Sequence, residues 1–117
     1  MIKQLTLCTK RPDISHEQCI KHHREIHMPL VKSLLGQSMH RYIAHYVDHT
    51  VAKISTDWTE VPPRWDIVVE SWREDEAWKG LADYFKTPQG RQIPEDEKLW
   101  LDQGSLISLV CHEYQII

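Results

Sequence analysis

Residues 15–36 read SHEQCIKHHREIHMPLVKSLLG, from Ser15 to Gly36. Ser15 and Gln18 have the S-x-x-Q spacing of a capping box, in which each residue's side chain satisfies the other's backbone donor, so a helix opens here. At about 100° per residue, Ile20, His23, His27, Val31 and Leu34 share one stripe and give that helix an inward face. Gly36 follows the last apolar residue as a C′ stop. Pro29 lies inside the segment, where its missing N–H removes an intrahelical bond and predicts a kink. His22 falls on the opposite, charged face near Glu25.

Working outward, Ile2 to Thr9 is short and rich in Leu, Ile and Thr, which suits a strand ended by the Arg11-Pro12-Asp13 turn. Met39 to Val47 reads as a second strand. A long connection from His49 to Arg64 carries Val61-Pro62-Pro63. Trp65 to Trp72 (WDIVVESW) is a third strand, and Glu74 to Phe85 a second helix with Trp78, Leu81 and Phe85 at helical spacing. A turn around Pro88 and Gly90 leads to a short helix near Pro94, and Ser105 to Ile117 is the last strand. The order β-α-β-β-α-β is the split βαβ arrangement of a ferredoxin-like fold, an α+β class with a four-stranded antiparallel sheet and helices on one face. There is no repeat, low-complexity tract or linker, so residues 1–117 form one domain. The last strand's Leu106-Ile107-Ser108-Leu109-Val110-Cys111 is apolar on both faces. The face without helices therefore needs a cover, and a second copy packed sheet to sheet, a homodimer, supplies it.

At 117 residues, 41% hydrophobic and 26% charged, the chain has the composition of an ordinary globular domain with one core. Its three cysteines, Cys8, Cys19 and Cys111, are odd in number and form no CxxC, so neither a disulfide framework nor a thiolate zinc site is expected. The net charge of −3, with acids and bases interspersed, argues against nucleic acid as a partner. No apolar run is long enough for a bilayer, and Met1 to Lys10 lacks the layout of a signal peptide, so a cytoplasmic protein without a membrane partner is expected. Protonating all eight histidines would move the charge from −3 to +5, so behaviour should change near pH 6.

Those histidines carry the chemistry. His23 and His27 project inward one turn apart, and a buried imidazole beside a carboxylate is suited to general acid or base work. The plain alternative is a core imidazole satisfied by a backbone carbonyl. His45 alternates with Tyr42 and Tyr46, so the three do not line one face: His45 either joins His27 in the pocket or lies at the dimer interface. Tyr42 or His45 would polarise a substrate carbonyl. Asp66 opens a strand, either to orient an imidazole or as a solvated strand-end carboxylate. Asp96, in Pro94-Glu95-Asp96-Glu97, has the ordinary role of a first-turn acid at a helix N-terminus. Trp65, Trp72, Trp78 and Trp100 read mostly as core, with Trp65 and Trp72 the candidates for stacking on a planar ligand. Cys19 reads as a small buried hydrophobe. His23 and His27 at i, i+4 could ligate a metal with His45 or Asp96, although Arg24-Glu25-Ile26 between them lacks the HExxH glutamate. Nothing selects haem. No cofactor or metal is expected.

The string from Ser15 to Val31, ending His27-Met28-Pro29-Leu30-Val31, resembles the first-helix signature of EthD-domain proteins. Trp65 to Trp72 and Glu95-Asp96-Glu97-Lys98-Leu99-Trp100-Leu101-Asp102 resemble that family's later strand and acidic turn. The resemblance implies a dimeric α/β-barrel whose monomers each enclose a pocket between helices and sheet. It implies relatives that include accessory proteins of ether degradation and cofactor-free enzymes acting on muconolactones or aromatic polyketides; more distant barrels bind haem. The family's histidine corresponds to His27 and its acidic residue to Asp96. Where the family has aromatic residues eight and four positions before that histidine, this chain has Cys19 and His23. The expectation is a cofactor-independent lyase or isomerase for a small aromatic, polyketide or lactone substrate. In it His27 shuttles a proton, His23 assists and Asp96 orients the imidazole. The alternatives are a non-catalytic ligand-binding accessory protein and a metal- or haem-binding barrel.

Overall fold

A computed structural model of the chain describes all residues except Ala52 and Pro62, and only the backbone of Lys53 and Ile54. Of the Val61-Pro62-Pro63 connection, Pro62 thus lies outside the described residues. The capping box forms: the Ser15 hydroxyl accepts the Gln18 N–H at 3.0 Å and the Gln18 side chain accepts the Ser15 N–H at 2.7 Å. Helix α1 (His16–His22) starts there. The kink expected at Pro29 takes the form of a π turn over His23–His27, where the Met28 N–H reaches back five residues to the His23 carbonyl. Helix α2 (Met28–Leu35) follows with Pro29 in its first turn, where a missing donor costs nothing. Gly36 is not a left-handed C′ residue; its φ is −57° and it continues into a 3₁₀ turn over Gly36–Ser38.

Strands β1 (Ile2–Cys8), β2 (Arg41–Tyr46), β5 (Ile67–Arg73) and β6 (Ile107–Cys111) form one antiparallel sheet in the order β2-β5-β1-β6. This is the ferredoxin-like arrangement. The long connection adds a small hairpin of β3 (Lys53–Ile54) and β4 (Glu60–Val61). The second helical region is broken by Gly80 into α3 (Asp75–Lys79) and α4 (Leu81–Tyr84). Gly90 then packs its backbone against the Tyr84 carbonyl, so closely that a Cβ would collide with it. That turn delivers α5 (Gln92–Glu97), which begins two residues before Pro94. The last strand is shorter than expected: β6 ends at Cys111, and Tyr114, Ile116 and Ile117 beyond it are exposed.

Strand alternation divides the sheet's residues. Cys8, Ile67, Val69, Ser71 and Arg73 are buried against the helices. Leu5, Leu7, Ile43, Val68, Ile107 and Leu109 lie on the other face, which no helix covers. Under the helices one apolar cluster joins Cys8, Cys19, Ile67, Val69, Trp100 and Leu101, and another joins Val31, Leu35 and Ile93. No helix among the described residues is long and apolar enough to cross a membrane.

Candidate active site

Between the two clusters lies a cavity of about 180 Å³, bounded by the π turn, α5 and the inner face of the sheet. The site starts from the π turn. In a regular helix His22 and His27, five residues apart, would point about 140° from each other. The wider turn brings them together, and both imidazoles grip Asp96: His22 Nε2 at 2.9 Å from Oδ1 and His27 Nδ1 at 2.8 Å from Oδ2. His22 is therefore not on the outward face, because the extra residue in the turn rotates it toward α5. A carboxylate only accepts hydrogen bonds, so His27 carries its proton on Nδ1. Its Nε2 lone pair has no partner among the described residues and belongs to a ring that lines the cavity. His27 is 5% exposed, and burial holds its pKa below 6.5 against the opposing pull of Asp96.

His23, 1% exposed, spans two tyrosines, with Nδ1 3.0 Å from the Tyr46 hydroxyl and Nε2 3.3 Å from that of Tyr42. Neutral imidazole, one donor and one acceptor, satisfies both, and burial pushes its pKa down to about 3. Burial, aided by nearby groups such as Cys8, also raises the Tyr42 hydroxyl well above its ordinary 10. Glu97 lines the same cavity and is pushed up to about 7, first by burial and then by the Asp96 charge. The Trp100 ring closes that end, edge-on to His23 and His27 at 5.3 and 4.9 Å.

The expected residues do not all meet at the cavity. His23, His27 and Tyr42 line the cavity, and Asp96 anchors it from behind. His45 does not: alternation sends it to the uncovered face, half exposed, where its Nε2 lies 2.9 Å from Glu70. Trp72 is on that same face, its ring between Lys3 and Arg41 and its Nε1 donating to Glu113. Trp65 lies outside the cavity beneath the Arg64 guanidinium. Asp66 is buried and does orient an imidazole, but that of His16, at 2.6 Å. His49 stacks on His16 at 3.7 Å, and both rings donate to carbonyls, His16 to Val47 and His49 to Trp65. His16, His49 and Asp66 are the described residues whose side chains could gather round a metal, their ligand atoms lying within 4.8 Å of one another.

A metal on His23 and His27 fits poorly, since the tyrosines and Asp96 leave one imidazole nitrogen free. Three residues of the site were missed, Glu97 and Arg73 on the cavity wall and His22 behind it on Asp96. His22 needed the π turn, for which Pro29 was the only signal. Glu97 shares a helical stripe with Ile93 and Trp100, and Arg73 continues the inward alternation of Ile67, Val69 and Ser71; a charged residue on an apolar stripe was the signal in both cases.

The EthD domain family matches residues 11–104 of this chain. No curated protein is similar enough in sequence to count as a relative. Among solved structures, the chain is similar to an ethyl tert-butyl ether D (EthD) family protein of Bacillus halodurans, with 13% identity, 97% of this chain and 100% of that one covered, and a TM-score of 0.63. An EthD-like protein of Ralstonia eutropha has 14% identity, coverage of 99% and 93%, and a TM-score of 0.59. A dimeric protein of unknown function with a ferredoxin-like fold from Bacteroides fragilis has 11% identity, coverage of 96% and 95%, and a TM-score of 0.59. At such identities the structures speak for the fold, whereas the family match spans most of the sequence: the chain belongs to the EthD domain family.

Proposed function

We propose that the protein is a cofactor-independent lyase or isomerase that moves a proton on a small oxygenated ring, an aromatic, polyketide-derived or lactone compound. The observation that carries this reading is the locked His27 tautomer, which leaves an unpartnered basic nitrogen on a ring that lines the half-open cavity. A cavity of about 150 Å³ holds benzene, so about 180 Å³ takes one substituted ring. His27 Nε2 accepts a proton from carbon next to a carbonyl, which in a phenol is that of its keto tautomer, and the Asp96 carboxylate stabilises the imidazolium that forms. With its own proton on Nε2, His23 donates to Tyr42 and frees the Tyr42 hydroxyl to donate to the developing oxyanion. Glu97, protonated below about pH 7, returns a proton to the substrate at a second position, and the imidazolium then reprotonates Glu97 through water. His23 serves as a positioning residue, because both its nitrogens are engaged.

The working unit we propose is a cytoplasmic homodimer. Its support is the uncovered apolar sheet face, the dimeric Bacteroides fragilis protein of the same fold, and three cysteines that are all free. Incubation in D₂O with a panel of monocyclic phenols, β-keto acids and unsaturated lactones tests the chemistry. Wild type is expected to place deuterium on carbon, and His27→Ala to slow this by about 10²–10⁴-fold. Undiminished exchange in His27→Ala would overturn the proposal. Ligand binding without exchange by wild type would favour a protein that holds its ligand for a partner enzyme.

A further inference from the structure

The end of the cavity away from His27 holds a charge with no counterpart. Arg73 is 5% exposed, yet it makes no ion pair among the described residues. Its Nη1 donates to Gln4 Oε1 at 2.6 Å, while Nε is buried without an acceptor. Gln4 is fixed in turn, its amide donating to Thr6 Oγ1 at 3.2 Å and Ser108 Oγ at 3.1 Å. The guanidinium is thus held through Nη1, and no hydrogen bond of its Nε or Nη2 is found among the described residues. A buried, unpaired charge is expensive, and folded chains normally pair or neutralise it. The Nε–Nη2 edge is also the fork that matches two carboxylate oxygens. Trp100, which lines the same cavity, also has its Nε1 donor buried without an acceptor among the described residues.

Register places Arg73 relative to the tyrosine that meets His23. Tyr42, whose hydroxyl meets His23, pairs across the sheet with Ser71. Arg73 is the next inward residue along β5, one pleat or about 7 Å further on. We infer that Arg73 is an anion-binding subsite of this cavity, and that its ligand is a small monocyclic acid with its carboxylate on the Nε–Nη2 edge and its ring toward His27. This rests on the reading of the cavity as a ligand site and narrows the substrate class from oxygenated rings to ring acids.

Benzoate and its neutral isostere benzamide are the probes, titrated into the full-length protein at pH 8 with intrinsic tryptophan fluorescence and calorimetry as readouts. At this pH His27 is neutral, so an imidazolium does not supply the selectivity, and Glu97, with a pKa of about 7, is ionised and works against benzoate, so a preference for it is Arg73's own. Wild type is expected to bind benzoate at least tenfold more tightly than benzamide, and Arg73→Gln to bind the two alike. The Arg73 Nε–H resonance in wild type is expected to shift with benzoate and not with benzamide, a measurement that needs no variant to fold. Equal affinities in wild type, no benzoate binding, a preference that survives in Arg73→Gln, or an Nε–H resonance unmoved by benzoate would each overturn the subsite. Binding requires no turnover, so selectivity without deuterium exchange retires the acid/base chemistry alone, and exchange without selectivity retires the subsite alone.

Discussion

Glu97 and His23 border one cavity, and burial drives their protonation in opposite chemical directions with the same result, a neutral side chain. For Glu97 the folded pKa of about 7 stands above the ordinary 4.5. Below pH 4.5 the folded and unfolded chains both hold the proton and nothing is lost. Between 4.5 and 7 the unfolded chain releases it first, so stability falls as pH rises, and above 7 the full cost remains. Glu97→Gln is therefore expected to stabilise the protein at pH 8 by on the order of 3 kcal/mol, with the gain vanishing below pH 4.5. Urea unfolding at both pH values checks it, and a gain that persists in acid would contradict it. His23 works the other way. Its folded pKa of about 3 lies below 6.5, so acid is taken up by the unfolded chain first and stability falls as pH drops from 6.5 toward 3. The two slopes oppose each other between pH 4.5 and 6.5, which is why the single variant, and not the wild-type curve alone, is informative.

At the scale of elements, the helix of residues 15–36 shows how far a pattern reaches. The capping box and the apolar stripe are local, and they placed the helix start and the inward turn of His23 and His27. The π turn is not local in that sense. It depends on Pro29 lacking an N–H and on α5 offering Asp96 to two rings at once, and the second condition is tertiary. So His22, assigned outward at 100° per residue, lies inward. The strands divide similarly. Alternation sorted Tyr42 and Tyr46 from His45, yet which set faces the helices depends on packing that no single strand contains. Asp96 was legible through family resemblance, while Glu97 beside it and Arg73 at the end of an apolar alternation were visible as charges on buried stripes. The break at Gly80 follows from helix propensity, and the close approach at Gly90 from a contact with Tyr84 that sequence does not announce.

For the whole molecule, the dimensions are those of a thick plate, 45 × 40 × 22 Å, with a radius of gyration of 15.4 Å. A compact chain of this length has a radius of about 13 Å. Its surface of 8041 Å² also exceeds the roughly 6,700 Å² of a compact monomer of this mass. The excess fits an uncovered sheet on which Ile107 and Leu109 stand 36% and 45% exposed, rimmed by Lys3, Glu70 and His45. Sheet-to-sheet pairing would bury these apolar side chains about a two-fold axis. Sedimentation equilibrium is expected to give a dimer for wild type and a folded monomer for Leu109→Glu. A wild type that stays monomeric at tens of micromolar would contradict this assembly.

The account turns on one imidazole whose free nitrogen is basic and faces the cavity. Long-range proton–nitrogen NMR of the histidine rings across pH 4–8 reads this directly. The expected result is a His27 ring protonated on Nδ1 at neutral pH, with a pKa below 6.5. A ring protonated on Nε2, or one already an imidazolium at pH 7, would leave no base in the cavity and contradict the account.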